Sequence, residues 1–97
     1  MKPVKRIEII TNALELKELL HALKDCGVTG YTVISPVTGA GDRGEQAGDE
    51  LTGVFNNSYV LTLAEPDGAD KIIEATRAIL SRHGGICLVS DAMWVRH

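Results

Sequence analysis

Val37–Asn56 reads VTGAGDRGEQAGDELTGVFN and separates a chain of 97 residues into two halves built of strands and helices. Its glycines are interspersed with acidic residues and a single arginine, and it shows almost no hydrophobic periodicity before Leu51. Connections in a compact domain are usually about 4–6 residues long, and much longer loops are commonly functional or disordered. We therefore interpret Val37–Asn56 as a mobile recognition loop that a ligand orders.

The half that precedes this loop predicts a strand, a helix and a second strand. Apolar alternation and β-branched side chains favour strands at Val4–Ile10 and Gly30–Ser35, and Pro36 is expected to end the second strand. Asn12 is suited to cap the start of the intervening helix, and Gly27 is suited to end it. The expected buried stripe of this helix is Ala13, Leu16, Leu19, Leu20 and Leu23.

The half that follows the loop predicts the same order of elements. A strand is expected at Ser58–Glu65, a helix that begins at Pro66 and ends at Gly84 and Gly85, and a last strand at Ile86–Ser90. The buried stripe of this helix is expected to be Ile72, Ile73, Thr76, Ile79 and Leu80. The strand before it has a face of larger side chains, Tyr59, Leu61 and Leu63, and a face of smaller ones, Val60, Thr62 and Ala64.

The order β-α-β-β-α-β predicts an α+β fold of the ferredoxin-like type, a βαββαβ sandwich in a single domain spanning residues 1–97. Its four-stranded antiparallel sheet carries both helices on one face. The other face should be polar, yet we expect it to hold mainly apolar side chains, namely Ile10, Val60, Ala64, Cys87 and Val89. Because an exposed apolar face invites a partner, we expect a homo-oligomer that covers it.

Composition excludes several classes of protein. The formal net charge of -3 argues against non-specific nucleic-acid binding, which needs a basic surface. No apolar run approaches the about 18 residues of a membrane span, and no secretory apolar region follows the basic N-terminus, so a cytoplasmic protein is expected. Cys26 and Cys87 form no CxxC motif and are expected to be buried, reduced thiols.

The sequence contains no recognisable motif for metal ligation or nucleophilic catalysis. No metal site is expected, because the histidines are scattered along the chain, at His21, His83 and His97. Two loops are suited to bind an anion: Thr38–Gly44, with its glycines and an arginine, and Ser81–Gly85, with Arg82 and His83. The alternatives are a flexible loop for the first and an ordinary helix stop for the second. In an oligomer, the two loops of neighbouring subunits are expected to meet in an anion pocket.

A family resemblance rests on three segments: Lys5–Ile10 (KRIEII), Gly27–Val33 (GVTGYTV) and Glu65–Asp67 (EPD). They resemble the first strand, the second strand and a strand-to-helix corner of the PII-like signalling proteins. The resemblance covers nearly the whole chain and places Val37–Asn56 at the family's T-loop and Ser81–Gly85 at its B-loop. Within the family, the chain looks closest to the short branch associated with carboxysomes and bicarbonate transport.

This resemblance implies a homotrimer that binds adenine nucleotide in the clefts between subunits, with bicarbonate as a co-ligand close to the nucleotide and the T-loop. Thr32 matches the threonine that hydrogen-bonds adenine in the family. The base is expected to lie between Ile10, Val33 and Ala64. The phosphates are expected to approach the root of the T-loop at Gly39, Gly41 and Arg43, and the B-loop amides of Gly84 and Gly85. Charge alone adds three further candidates, Arg82, His83 and Arg96.

The chain also departs from the nitrogen-regulatory members of the family. Ile86 stands where their B-loop has a lysine, and Arg96 is the one arginine of the tail. Since fewer cations favour fewer phosphates, AMP or ADP is expected over ATP, which stays a further candidate. The T-loop has no tyrosine, which excludes uridylylation there.

The function that the resemblance implies is that of a non-enzymatic sensor. Nucleotide and bicarbonate would order the T-loop, which then docks on or leaves an inorganic-carbon transporter or a carboxysome-linked protein. The protein would work in the cytoplasm, at the carboxysome or at the inner face of the membrane. One alternative is an enzyme, either a phosphatase of the acylphosphatase type or a slow nucleotide hydrolase, although no arginine accompanies Asn12 after the first strand. Another alternative is a divalent-cation-binding trimer of the cation-tolerance type.

Overall fold

The computed structural model describes residues 1–38 and 56–97. Its strands are β1 (Lys2–Asn12), β2 (Thr32–Val37), β3 (Asn57–Ala64) and β4 (Ile86–Trp94). Its helices are α1 (Leu16–Asp25) and α2 (Ala69–His83), and a single 3-10 turn precedes each of them, at Ala13–Glu15 and Pro66–Gly68. Most of the predicted loop, residues 39–55, lies outside the described residues.

The strands form one sheet in the order β2-β3-β1-β4, and every neighbouring pair is antiparallel. Both helices pack on the same face of this sheet, because side chains of α1 and α2 share one core with β1 and β3. That core contains Ile7, Ile9, Leu19, Leu23, Val60, Ala64, Ala69, Ile72 and Ile79. The predicted ferredoxin-like βαββαβ sandwich is therefore confirmed.

The helix ends follow the predicted signals. The Asn12 side chain accepts a hydrogen bond from the Leu14 amide over 2.8 Å and caps the first turn. Gly27 ends the α1 region with a φ of 90°, a conformation that glycine adopts without steric cost. In α2, the buried positions Ile72, Thr76 and Ile79 belong to the predicted stripe.

Pro36 does not end β2 as predicted. The strand continues through Pro36 to Val37, and its pairing with β3 shifts register between Ile34 and Val37. Proline has no amide hydrogen to donate to a neighbouring strand. An edge strand such as β2 tolerates this, because one of its sides has no neighbouring strand. The predicted boundary at Val37 for the long loop is therefore also wrong, since Val37 is part of β2.

Strands β1 and β4 are both longer than predicted. Pairing runs from Lys2 opposite Trp94 to Ile10 opposite Ile86, whereas the sequence pattern places the end of the last strand at Ser90. Beyond Ser90, Asp91 faces Lys5 across the pair, and their side chains lie 2.5 Å apart. The sequence alone predicts that the charged Asp91 lies beyond the end of the strand. Its pairing with Lys5 instead keeps it within β4.

The predicted faces of β3 are reversed in the structure. Val60 lies opposite Ile9, whose side chain is buried under the helices, so Val60 and Ala64 face the helices as well. Since facing residues share one side of a sheet, Tyr59, Leu61 and Leu63 lie on the other side. Cys87 also lies opposite Ile9 and packs against the core. Of the five residues predicted for the uncovered face, Ile10 lies there, whereas Val60, Ala64, Cys87 and Val89 share the helix side.

We call the side of the sheet away from the helices the open face. Its apolar members are Ile10, Ile34, Tyr59, Leu61, Leu63, Ile86 and Leu88. Of these, Ile34, Ile86 and Leu88 are each about half exposed, at 53%, 49% and 54%. The open face is therefore more apolar than the sequence predicts, although most of the residues differ. An uncovered patch of this kind marks an interaction surface.

Two further expectations concern a membrane-spanning segment and the state of the cysteines. Neither described helix has the length and apolar character needed to traverse a bilayer. Cys26 and Cys87 are both free and half-buried, and burial raises the pKa of the Cys87 thiol. A raised pKa leaves less thiolate and makes this cysteine less reactive.

Thr76 offers a test of core packing. Its side chain is buried on α2, and among the described residues its hydroxyl has no hydrogen-bond partner. Thr76→Val removes this hydroxyl at nearly constant shape, so we expect it to raise the free energy of unfolding by about 1 kcal/mol. Urea denaturation at fixed protein concentration measures the change.

Thr62→Val is the matched control for Thr76→Val. The Thr62 hydroxyl is equally buried, but it donates to the Gly30 carbonyl over 2.7 Å. The same substitution there should lower the free energy of unfolding by about 1 kcal/mol, because it removes this hydrogen bond and leaves the Gly30 carbonyl without its donor. If Thr76→Val destabilised the protein as much as Thr62→Val, Thr76 would have a partner after all.

Candidate functional site

The turn between α2 and β4 is built around two glycines. Gly84 and Gly85 have φ angles of 80° and 129°, both in the region that favours glycine. The Gly84 amide closes the helix by donating to the Leu80 carbonyl over 2.7 Å. A Cβ on Gly85 would overlap the Ile10 carbonyl oxygen and would lie 2.9 Å from Leu80 Cδ2. The turn therefore lies directly against the end of β1 and requires glycine there.

Thr11 fixes this turn from the β1 side. Its hydroxyl donates to the Gly84 carbonyl over 3.1 Å, and its side chain is buried. The sequence pattern does not single out Thr11, although it extends the buried alternation of Ile7 and Ile9 with a polar residue. The structure thus brings three predicted site residues together, Ile10, Gly84 and Gly85, and adds Thr11 behind them.

The last two residues of α2, just before this turn, contact α1. Arg82 Nη2 lies 2.5 Å from Glu18 Oε2, and His83 Nε2 lies 3.2 Å from Glu15 Oε2 and 3.4 Å from Glu18 Oε1. The pairing is natural because acidic residues favour the start of a helix and basic residues favour its end. These contacts favour a structural role for Arg82 and His83, and their role in anion binding stays a prediction.

The residues predicted to surround adenine lie on two faces of the sheet. Thr32 faces Leu61 and belongs to the open face, which it shares with Ile10. Val33 faces the buried Val60, and Ala64 is also buried on the helix side. One chain therefore does not enclose a base between these four side chains, and their shared role stays a prediction.

Four predicted residues remain, and the structure describes one of them, Arg96. Gly39, Gly41 and Arg43 lie outside the described residues. Arg96 is exposed and follows the end of β4 at Trp94. Arg96 and the glycine turn therefore flank opposite ends of the edge strand β4.

A polar cluster interrupts the open face. The Tyr59 hydroxyl donates to Glu8 Oε2 over 2.6 Å, and Arg6 Nε lies 3.4 Å from Glu8 Oε1 and donates to the Ser90 hydroxyl over 3.2 Å. The hydrogen bond to the Glu8 carboxylate raises the pKa of Tyr59, with burial as a second cause. The tyrosine is therefore a neutral hydrogen-bond donor at physiological pH. This cluster fixes polar side chains on a face whose other members are mainly apolar.

The geometry of the glycine turn suits anion binding. A glycine turn can bring its main-chain amides close to an anion, because no side chain blocks the approach. This turn lies at one corner of the open face, where Ile10 and Ile86 pair. A ligand with an anionic group and an apolar group would find both kinds of contact at this corner.

Solved structures with the same fold support a single architecture along nearly the whole chain. CPII, a nitrogen regulatory PII-like protein from Thiomonas intermedia K12 bound to ADP, AMP and bicarbonate, is 22% identical, with 98% of this chain and 96% of that chain covered and a TM-score of 0.81. The apo form of CPII is 20% identical over 93% of this chain and 89% of that chain, with a TM-score of 0.75. The GlnK–ATP complex of B. subtilis is 20% identical over 95% and 84%, with a TM-score of 0.69.

These identities are low and establish the fold. No curated protein matches the chain. The family itself is established by sequence, because the model of the family described as "Nitrogen regulatory protein P-II" matches residues 4–97, which is every described helix and strand apart from the first two residues of β1. The resemblance that the three sequence segments carry is confirmed. This chain belongs to the nitrogen regulatory protein P-II family.

Proposed function

We propose that this chain is a non-enzymatic signalling protein that binds an adenine nucleotide in the clefts between the subunits of a homotrimer. AMP or ADP is the favoured nucleotide, ATP is a weaker candidate, and bicarbonate is the co-ligand. Membership of the P-II family supports a signalling role. The nucleotide and bicarbonate assignment is supported by the bound ligands of CPII, which shares the fold.

The glycine turn is the observation that carries this proposal. A side chain at Gly85 would collide with the Ile10 carbonyl, so this position requires glycine. The main chain of the turn is therefore exposed beside the end of β1. The adjoining corner of the open face is apolar and suits a base or ribose. Phosphate oxygens would be held mainly by the Gly85 amide, because the Gly84 amide already donates to the Leu80 carbonyl. Arg43 would add charge from the T-loop, with Gly39 and Gly41 at its root.

Strand order supports a site shared between subunits. Thr32 lies on β2 and the glycine turn lies beside β4, and these strands are opposite edges of the sheet. Three strand spacings of about 4.8 Å place the two edges about 14 Å apart. A nucleotide therefore contacts both elements most readily when they come from neighbouring copies. Ile10, Val33, Ala64 and Arg96 are assigned to the same clefts, with Arg82 and His83 as weaker candidates.

The finer part of the proposal concerns regulation. The nucleotide and bicarbonate would together stabilise one arrangement of the T-loop, and this arrangement would bind or release an inorganic-carbon transporter or a carboxysome-linked protein. The protein would act in the cytoplasm, at the carboxysome or at the inner face of the membrane. Affinity purification with and without ADP and bicarbonate tests this part, since an unchanged set of partners would contradict it.

Isothermal titration tests the binding part of the proposal. AMP, ADP and ATP are titrated into the purified protein, each with and without bicarbonate. We expect saturable binding of AMP or ADP at one site per subunit, tighter with bicarbonate than without it. If none of the three nucleotides bound to the trimer, the proposal would be wrong. Formation of ADP from ATP during a long incubation would instead favour the enzymatic alternative.

Thr32→Val probes the contact with the base. The hydroxyl of Thr32 is exposed on the open face, so its removal should not disturb the core. Loss of one hydrogen bond to adenine is expected to weaken nucleotide binding about fivefold. Thr29→Val, in the exposed segment before β2, is the control and should bind as the wild type does. Equal affinities of Thr32→Val and Thr29→Val would remove Thr32 from the site.

A further inference from the structure

We propose that Glu15, Glu18 and His83 form a binding site for a divalent transition-metal ion such as Zn²⁺, at the junction of α1 and α2. One ligand atom from each of these residues lies within 4.8 Å of the others. His83 is distant in sequence from Glu15 and Glu18, which is why the histidine spacing alone predicts no metal site. This inference does not depend on the proposed nucleotide function.

The distances match the geometry that zinc requires. His83 Nε2 lies 3.2 Å from Glu15 Oε2 and 3.4 Å from Glu18 Oε1. Zinc binds imidazole nitrogen and carboxylate oxygen at about 2.0–2.2 Å, so tetrahedral ligands are separated by about 3.4 Å. An ion between these atoms therefore needs only small side-chain movements. Water would complete the coordination.

Arg82 holds one of the ligands in place. Its Nη2 binds Glu18 Oε2 over 2.5 Å, which leaves Oε1 of the same carboxylate directed at His83. Carboxylates that bind metals commonly have such an outer hydrogen bond, which orients the ligand. Two carboxylates and a neutral imidazole would compensate the charge of a divalent ion. Imidazole with carboxylate favours zinc and its neighbours over magnesium or calcium.

The backbone around the site is ordered on both sides. Glu15 ends the 3-10 turn that Asn12 caps, and His83 is the last residue of α2 before the glycine turn. A bound ion would therefore clamp the start of α1 to the end of α2. The clamp would also restrain Gly84 and Gly85, which follow His83 directly.

Zinc titration of the purified protein tests the proposal. Calorimetry in the presence of a non-thiol reductant should show one strong Zn²⁺ site per subunit, and Zn²⁺ should raise the thermal unfolding midpoint. His83→Ala is expected to weaken this site at least tenfold and to abolish the thermal shift. Glu18→Gln, which preserves the shape of the side chain, should weaken it as well.

His21→Ala is the matched control, because His21 also lies on a helix beside a carboxylate, 3.8 Å from Asp25. The His21→Ala variant should bind Zn²⁺ with wild-type affinity. Its thermal unfolding midpoint should rise with Zn²⁺ as that of the wild type does. Two results would overturn the proposal. One is the absence of a strong site in the wild-type protein, which would leave the cluster as an ion pair. The other is a site that survives both His83→Ala and Glu18→Gln.

Discussion

Gly85→Ala is expected to lower the free energy of unfolding by about 3 kcal/mol or more, because strain and overlap act together. The φ of 129° at Gly85 is a conformation that side-chain-bearing residues rarely adopt. The added Cβ would also overlap the Ile10 carbonyl oxygen and would lie 3.3 Å from Thr11 Cα. Since these neighbours are backbone atoms of a central strand, they cannot move as the end of a flexible side chain can. Urea denaturation measures the loss.

Two other glycines separate the contributions to this effect. Gly27 has a φ of 90° but nothing within 4 Å of an added Cβ, so Gly27→Ala should cost about 1 kcal/mol from strain alone. Gly68 has a φ of -91° and similarly open surroundings, so Gly68→Ala should be close to neutral. The expected order of destabilisation is Gly85, then Gly27, then Gly68. If Gly85→Ala cost no more than Gly27→Ala, the close approach to β1 would be wrong.

Nucleotide binding gives Gly85→Ala a second readout. Below its unfolding midpoint, the variant should retain its mass as an assembly but lose most of its affinity for ADP, because the amides of the turn would be displaced. A folded Gly85→Ala protein with wild-type ADP affinity would remove the glycine turn from the binding site. Stability and binding are thus tested separately in one variant.

The order and type of the elements could be predicted because each long segment has one clear periodicity. The predicted stripe of α1 contains Leu19 and Leu23, and that of α2 contains Ile72 and Ile79. All four side chains are buried as expected. The faces of β3 could not be predicted in the same way, since both alternating sets are apolar. Only pairing with β1 assigns them, because Ile9 brings Val60 to the helix side.

The candidate site was predictable where local backbone chemistry sets it. The Gly84-Gly85 pair indicates the observed helix stop from sequence alone, and its role in anion binding stays a prediction. Contacts between distant segments could not be predicted, such as Thr11 with Gly84 or His83 with Glu15. Neither pair has a sequence spacing that indicates contact, because the fold alone brings β1, α1 and the end of α2 together.

Leu88→Lys is expected to dissociate the assembly into monomers. Leu88 is 54% exposed on the open face and lies opposite Glu8 on β1. In a separated chain, a lysine there would face the Glu8 carboxylate, so the fold should be retained. In a trimer that covers the open face, every subunit would bury an additional ammonium group, which should weaken association more than hundredfold. Light scattering after gel filtration measures the mass.

Leu14→Lys is the control for Leu88→Lys, since Leu14 is 79% exposed but lies in the turn before α1, on the helix side of the sheet. It makes the same chemical change away from the open face and should leave the mass and the ADP affinity unchanged. Leu88→Lys should lose ADP binding together with assembly, because a cleft between subunits disappears when they separate. A Leu88→Lys protein that stays trimeric would show that another surface joins the subunits. A folded monomer that binds ADP as tightly as the wild type would place the nucleotide within one chain, and the shared-cleft proposal would then be wrong.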